Sequence, residues 1–266
     1  MEKITKADLK QPDMFVESAS TFWVFVEEHF KVIMTVFCVI VLASLVYIGK
    51  NFFSDKTERR AINELYPIES EVLKIKDGFD KAKHGANPDP NAEAKASKDK
   101  KMADVKKATG DLQSDYGASL SKLESFASSH QDNVAGAEAG LIAAGIYSDY
   151  QKSDKAVEIL TPLAQKFQSQ GSVLVSALLQ MALGTAQATK GDCKSAVSSW
   201  QKVIDNDKLK FLAGDAHLKA GVCFETLGDV NQAREHYEKA SSTEGNVSKN
   251  AKTLLRALEV KKSQAG

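Results

Sequence analysis

Residues Leu183 to Val203, LGTAQATKGDCKSAVSSWQKV, and residues Ala220 to Ala240, AGVCFETLGDVNQAREHYEKA, are two copies of one pattern. Gly184 matches Gly221, Gly191–Asp192 matches Gly228–Asp229, Ala196 matches Ala233, and Trp200 matches Tyr237, each pair 37 apart. A weaker copy lies 40 residues upstream, with Ala144 and Tyr147 in its first helix and Ala156, Leu160 and Leu163 in its second. The small residue at Ala144, Gly184 and Gly221 lets the first helix of a pair approach the second closely. Gly-Asp ends one helix with a left-handed residue and caps the next. The small Ala of the second helix meets the helix crossing, and the aromatic four positions on fills the space beside it.

This is the tetratricopeptide-repeat pattern, a helical hairpin of about 34 residues that buries its apolar side by stacking on its neighbours. The chain departs from it in three ways: the usual first-helix Trp is missing, no Pro closes the repeats, and the connections QSQGS and DNDKLK are longer. Gly184, Gly191, Ala196, Trp200, Gly221, Phe224, Gly228, Ala233, Tyr237 and Ala240, with Ala144, Tyr147 and Ala156, are the expected packing residues. Before the array, Tyr116, Leu120, Leu123 and Ala127 predict a helix ending near Ser129. After it, Val247, Ala251, Leu254, Leu255 and Leu258 predict a capping helix, apolar inward and charged outward. Asn246-Val247-Ser248 reads as a cap at Ser248 rather than a glycosylation site.

Upstream, Val32 to Gly49, VIMTVFCVIVLASLVYIG, is an apolar run between Lys31 and Lys50. Eighteen residues of helix reach roughly 27 Å, close to the hydrocarbon thickness of a bilayer. The run is too long for a signal h-region and no A-x-A-like site follows it, so a retained membrane anchor is expected. Before it, Phe15, Ala19, Phe22, Val26 and Phe30 give residues 12–30 one apolar face. That face lies on the membrane surface or packs on a partner's membrane helices. Lys3, Lys6, Lys10 and Lys31 on one side balance Lys50, Lys56, Arg59 and Arg60 on the other, so sidedness does not follow from charge.

Ile62, Leu65, Ile68, Val72 and Ile75 give Thr57 to Lys76 helix character, with Pro67 as a kink. From Lys76 to Lys101 the chain is dense in charge, Ala, Asn, Gly and Pro, and about 80–100 reads as a loop rather than a basic patch, because its lysines alternate with Asp and Glu. The organisation expected is therefore all-α: a segment at 1–31, a transmembrane helix at 32–49, a helical stalk and charged loop at 50–110, and a tetratricopeptide-like α-solenoid of about three hairpins with flanking helices at 111–266.

With 35 basic and 35 acidic residues the chain has no global field for nucleic acid. It carries no G-x-S-x-G, H-E-x-x-H, P-loop or G-x-G-x-x-G, and neither an enzyme nor a cofactor is expected. His217, Cys223 and His236 are the best metal constellation. His217 and Cys223 lie about 240° apart around one helix, so no metal site is expected. Cys38 falls in the apolar run. Cys193 and Cys223 lie on helices that should pack antiparallel, so they form either a disulfide, in an oxidising compartment, or two separate buried thiols; a Cα separation above about 7 Å excludes the bond.

First helices line the inner side of such an array. The expected protein-binding groove is Leu141 and Asp149, then Leu178, Met181, Thr185 and Thr189, then Leu218, Lys219, Val222 and Glu225, either open to extended or helical segments or filled by another helix of the same chain.

The anchor at 32–49, the array from about 111 to 262 and the opening ITKADLKQPDMF, Ile4 to Phe15, resemble the YfgM-like ancillary subunits of the Sec translocon. The resemblance implies a bacterial inner-membrane scaffold with a cytoplasmic N-terminus and periplasmic repeats. Its partners would be translocon components, a periplasmic chaperone or client polypeptides, with membrane lipid met through residues 32–49. The insertion at 77–105 departs from shorter members. The alternative is a structural subunit of another envelope complex for secretion, pilus or outer-membrane assembly.

Overall fold

The computed structural model describes residues 56–82, 107–169 and 172–265, and every regular element among them is helical. Helix α1 covers 56–82. It is followed by α2 (Leu112–Ser129), α3 (Val134–Asp149), α4 (Ser153–Ser169), α5 (Val173–Thr189), α6 (Cys193–Ile204), a 3-10 turn (Asp207–Leu209), α7 (Lys210–Thr226), α8 (Val230–Ser241) and α9 (Gly245–Ala265). Three hairpins result, α3–α4, α5–α6 and α7–α8. The expected span at 32–49, the amphipathic segment at 12–30 and residues 83–106 of the charged stretch lie outside the described residues. Among the described residues no helix is long and apolar enough to cross a membrane.

The turn inside each hairpin follows from local chemistry. Gly191 and Gly228 take φ of +93° and +80°, where a side chain is strained. The next residue caps the following helix: Asp192 accepts from the Ser195 amide at 3.1 Å and Asp229 from the Gln232 amide at 3.0 Å. In the degenerate copy Gln151 holds the same place with φ +57°. All three turns close with one equivalent backbone bond, from Lys152, Asp192 and Asp229 to the carbonyls of Tyr147, Gln187 and Phe224 at 2.8, 2.9 and 2.9 Å.

Within the hairpins the aromatic of the second helix lies against the glycine of the first. A Cβ on Gly184 would come 2.5 Å from Trp200 Nε1, and one on Gly221 would come 2.5 Å from the Tyr237 ring. Ala196 and Ala233 of the second helices are buried in these hairpins, Ala144, Tyr147, Ala156 and Ala240 are buried as well, and Phe224 is partly buried. The polar tips are satisfied. The Trp200 indole donates to the Met181 carbonyl at 3.3 Å, the Tyr237 hydroxyl to Glu225 at 2.9 Å, and the Tyr147 hydroxyl to Glu124.

Helix α1 packs on the same core as the first hairpin. Ala61, Leu65 and Val72 are buried there, with Ile68, Ile75 and Phe79 partly buried. The expected stripe is therefore shifted at its start: Ala61 faces inward, and Ile62 is 47 % exposed. Positions 61, 65, 68, 72, 75 and 79 keep alternating four- and three-residue steps, and Ile62 falls about 100° off that seam. Helical structure continues through Pro67, which is exposed, and on past Lys76 to residue 82. The Glu58 carboxylate accepts from the amides of Val134 and Ala135, both at 3.1 Å, and so caps α3 from another helix.

At the other end Ala251 and Leu258 of α9 are buried and Leu254 and Leu255 partly so, as expected of a capping helix. Ser248 does not cap its own helix. It is buried and donates to the Ser241 carbonyl at 2.7 Å, closing the C-terminus of α8.

Gly184→Ala and Gly221→Ala should each cost about 1–3 kcal/mol in chemical denaturation, because the ring opposite has to move. Gly145→Ala, on the exposed side of α3 with nothing within 4 Å of the new carbon, should instead gain roughly 0.5–1 kcal/mol of helix propensity.

Candidate protein-binding face

The first helices α3, α5 and α7 lie side by side, α3 against α5 and α5 against α7. Helical spacing puts Leu174, Leu178, Thr185 and Thr189 on one stripe of α5, and Phe211, Asp215, Lys219, Val222 and Thr226 on the equivalent stripe of α7. Leu178 is 41 % exposed and Val222 46 %. Thr185 and Thr189 are exposed, with hydroxyls bonded to the Met181 and Thr185 carbonyls at 2.9 Å, so they offer methyl groups outward without an unsatisfied donor. Lys219 lies 3.8 Å from Asp215, one turn earlier on its own helix.

The other expected groove residues have internal roles. Met181 is buried among Ala177, Trp200 and Cys223, one position off the exposed stripe. Leu218 is partly buried against the Tyr237 cluster. Glu225 accepts from Tyr237 and from Lys261 of α9, the latter at 2.6 Å, and the Lys261 bond, opposed by burial, holds its carboxyl below the usual range. Leu141 and Asp149 line a cleft of about 350 Å³ with Val72 and Leu73 of α1 and Tyr116 of α2. Helices of the same chain thus half-bury Leu141 at the first hairpin and reach the far edge of the face at Glu225, while Asp149 and the middle stay exposed.

One row escaped the sequence reading. Val134, Leu174 and Phe211 begin the three first helices at equivalent positions and are 41 %, 51 % and 71 % exposed. The repeat offset itself was the signal, since 134, 174 and 211 differ by the same 40 and 37 residues as the packing positions.

The second and third hairpins are joined covalently. Cys193 at the start of α6 and Cys223 late in α7 form a disulfide with Cα atoms 5.1 Å apart, which decides between the two states open from sequence. His217 and His236, two of the three residues in a constellation dismissed because His217 and Cys223 do not converge, meet each other across the third hairpin with Nδ1 atoms 3.1 Å apart, and His236 also packs on Phe224. One neutral ring donates to the other. Burial pushes both imidazoles down, His217 to about 4 with help from the His236 and Lys239 charges; Glu235 opposes in both cases. Among the described residues no group of three His, Cys, Asp or Glu side chains is placed to hold a metal ion.

Residues 215–243 match the family model Tetratricopeptide repeat. The match runs from within α7 through α8, so the hairpin with Gly221, Gly228 and Tyr237 is a tetratricopeptide-type hairpin, and α5–α6 carries the same glycine, Gly-Asp, alanine and aromatic positions. The solved structure "Crystal structure of MamA" is similar at 18 % identity and a TM-score of 0.41, covering 60 % of this chain and 98 % of that one. No curated protein matches the chain.

Two measurements test this geometry. Reducing the disulfide, or replacing both cysteines by serine, should lower unfolding free energy by roughly 3–4 kcal/mol for cysteines 30 residues apart. The histidine pair is neutral when folded and has its pKa depressed, so its stabilisation is complete above about pH 6.5 and fades as pH falls toward 4. Denaturation midpoints should therefore drop between pH 6.5 and 4.5, above the range of the carboxylates, and His217→Gln should flatten that slope.

Proposed function

We propose that the protein is a non-catalytic, membrane-anchored scaffold that holds other polypeptides on the inner face of its hairpin stack. The observation that carries this reading is the row Val134, Leu174 and Phe211, apolar and exposed at the same place in three successive hairpins. With Leu178 and Val222 it forms a surface that buries little within the chain. Exposed apolar patches of this kind mark interaction sites, and tetratricopeptide-type arrays bind proteins through such surfaces.

The apolar run at 32–49 supports tethering at a membrane. The disulfide favours an oxidising compartment for the hairpins, such as the bacterial periplasm, because cytosolic thiols are kept reduced. With the resemblance drawn from the sequence, this supports an inner-membrane protein with a cytoplasmic N-terminus whose partners are translocon components, a periplasmic chaperone or emerging client polypeptides.

A photo-crosslinking amino acid at Leu174, Leu178 or Phe211 of the full chain in cells should give adducts to other proteins, and Leu174→Asp with Phe211→Asp should abolish binding of the same proteins while leaving the thermal midpoint within a few degrees. Intramolecular products alone would sink the scaffold reading. Protease digestion of the hairpins in spheroplasts, but not in sealed cells, is the outcome expected for the stated sidedness.

A further inference from the structure

On the side of the stack away from the inner face, the second helices α4 and α6 leave a gap floored by α5. A cavity of about 210 Å³ lies there, walled by Phe167 of α4, Val173 and Gln180 of α5, Lys202 and Val203 of α6 and Leu209 of the 3-10 turn. That is far more than the roughly 10–15 Å³ a single enclosed water needs. Gln180 is 2 % exposed, and neither its Nε2 nor its Oε1 has a hydrogen-bond partner. These are the only buried side-chain polar atoms so stranded among the described residues.

The equivalent positions show that the repeat does not require this amide. One repeat on, the same place is His217, paired with His236 on the second helix; one repeat back it is Gly140. The residue equivalent to His236 in the second hairpin is Ser199, whose hydroxyl is committed to Gln187 at 2.8 Å. Gln180 therefore sits without the partner its neighbour has. Leaving a buried amide unpaired destabilises the fold, and an apolar side chain of similar shape would avoid that cost.

We propose that this cavity is a second contact site, which takes one apolar residue of a partner polypeptide whose peptide group pairs with Gln180. The inference rests on the scaffold reading and adds a site on the opposite side. A peptide group has one donor and one acceptor, the complement of a carboxamide: its N–H donates to Oε1 and its carbonyl accepts from Nε2. The terminal torsion of Gln180 is a soft, two-fold sp³–sp² rotation, so an entering peptide group can re-aim the plane of the amide at little cost. Phe167, Val203 and Leu209, nearly all buried, supply the walls for an aliphatic side chain, and Lys202, the one charged group in the lining, favours an acidic residue beside it.

The test uses the full chain in detergent micelles with ¹⁵N-labelled glutamine side chains. N-acetyl-leucine N′-methylamide serves as the minimal probe, and 3-methyl-1-butanol as the same apolar body without a peptide group. Saturable shifts of the Gln180 side-chain amide by the first probe, at least tenfold weaker with the second, are expected. Gln180→Met should raise the thermal midpoint by about 3–6 °C, since the unpaired amide is gone, and should weaken the first probe at least tenfold. Binding that persists unchanged in Gln180→Met, or no saturable shift at the solubility limit of the probe, would overturn the proposal. Leu174→Asp with Phe211→Asp should leave probe binding intact, and an unsubstituted chain that gives only intramolecular inner-face crosslinks while still binding the probe fails the scaffold reading alone.

Discussion

An aromatic ring pressed against a helix that has no side chain at the point of contact is the constraint on which the second and third hairpins depend. Trp200 over Gly184 and Tyr237 over Gly221 bring the two helices of each hairpin close enough that any Cβ would overlap the ring. Because the rings are buried, their polar tips need hydrogen-bond partners. The indole bonds a carbonyl of its own hairpin. The Tyr237 hydroxyl bonds Glu225, which in turn holds Lys261 of the capping helix. One packing contact thus leads through a chain of polar contacts to the end of the stack.

The flanking helices explain which part of the inner face is free. An array of identical hairpins would expose an apolar side at each end, and here α1 with α2 covers the first and α9 the last. Helix α1 does this with a side-chain cap, Glu58 on the amides that begin α3, and with a hydrophobic seam. Its cover falls on Leu141, which is half-buried, while Val134 and Asp149 stay exposed beside the open stretch over α5 and the near part of α7. The disulfide from Cys193 to Cys223 joins the two hairpins that build that surface.

Much of the candidate face was legible because repeats transmit position. Leu178, Thr185, Thr189 and Val222 lie where helical spacing puts them. Met181 failed because an i+3 neighbour lies about 60° from its stripe, enough to carry it into the core. Ile62 exchanged places with Ala61 for a related reason: a stripe of apolar residues two positions wide does not say which edge is buried. Glu225 was read as a free inner-face residue because its two partners come from other helices, one of them thirty-six positions away. Ser248 is similar, since its acceptor is a carbonyl on the preceding helix.

By itself the sequence determined what depends on neighbours within one hairpin: the Gly-Asp turns, the ring-on-glycine crossings, the repeat count and the apolar flank helices. Those features follow from backbone sterics and short-range spacing, which a linear pattern records directly. Only the tertiary structure decided which side chains meet between helices: the bonding of Cys193 to Cys223, the contact of His217 with His236, the stranding of Gln180 and the placement of α1 over the first hairpin. Each of these turns on rotations of a few tens of degrees between packed helices, which shift a side chain from one neighbour to another while leaving the sequence period unchanged.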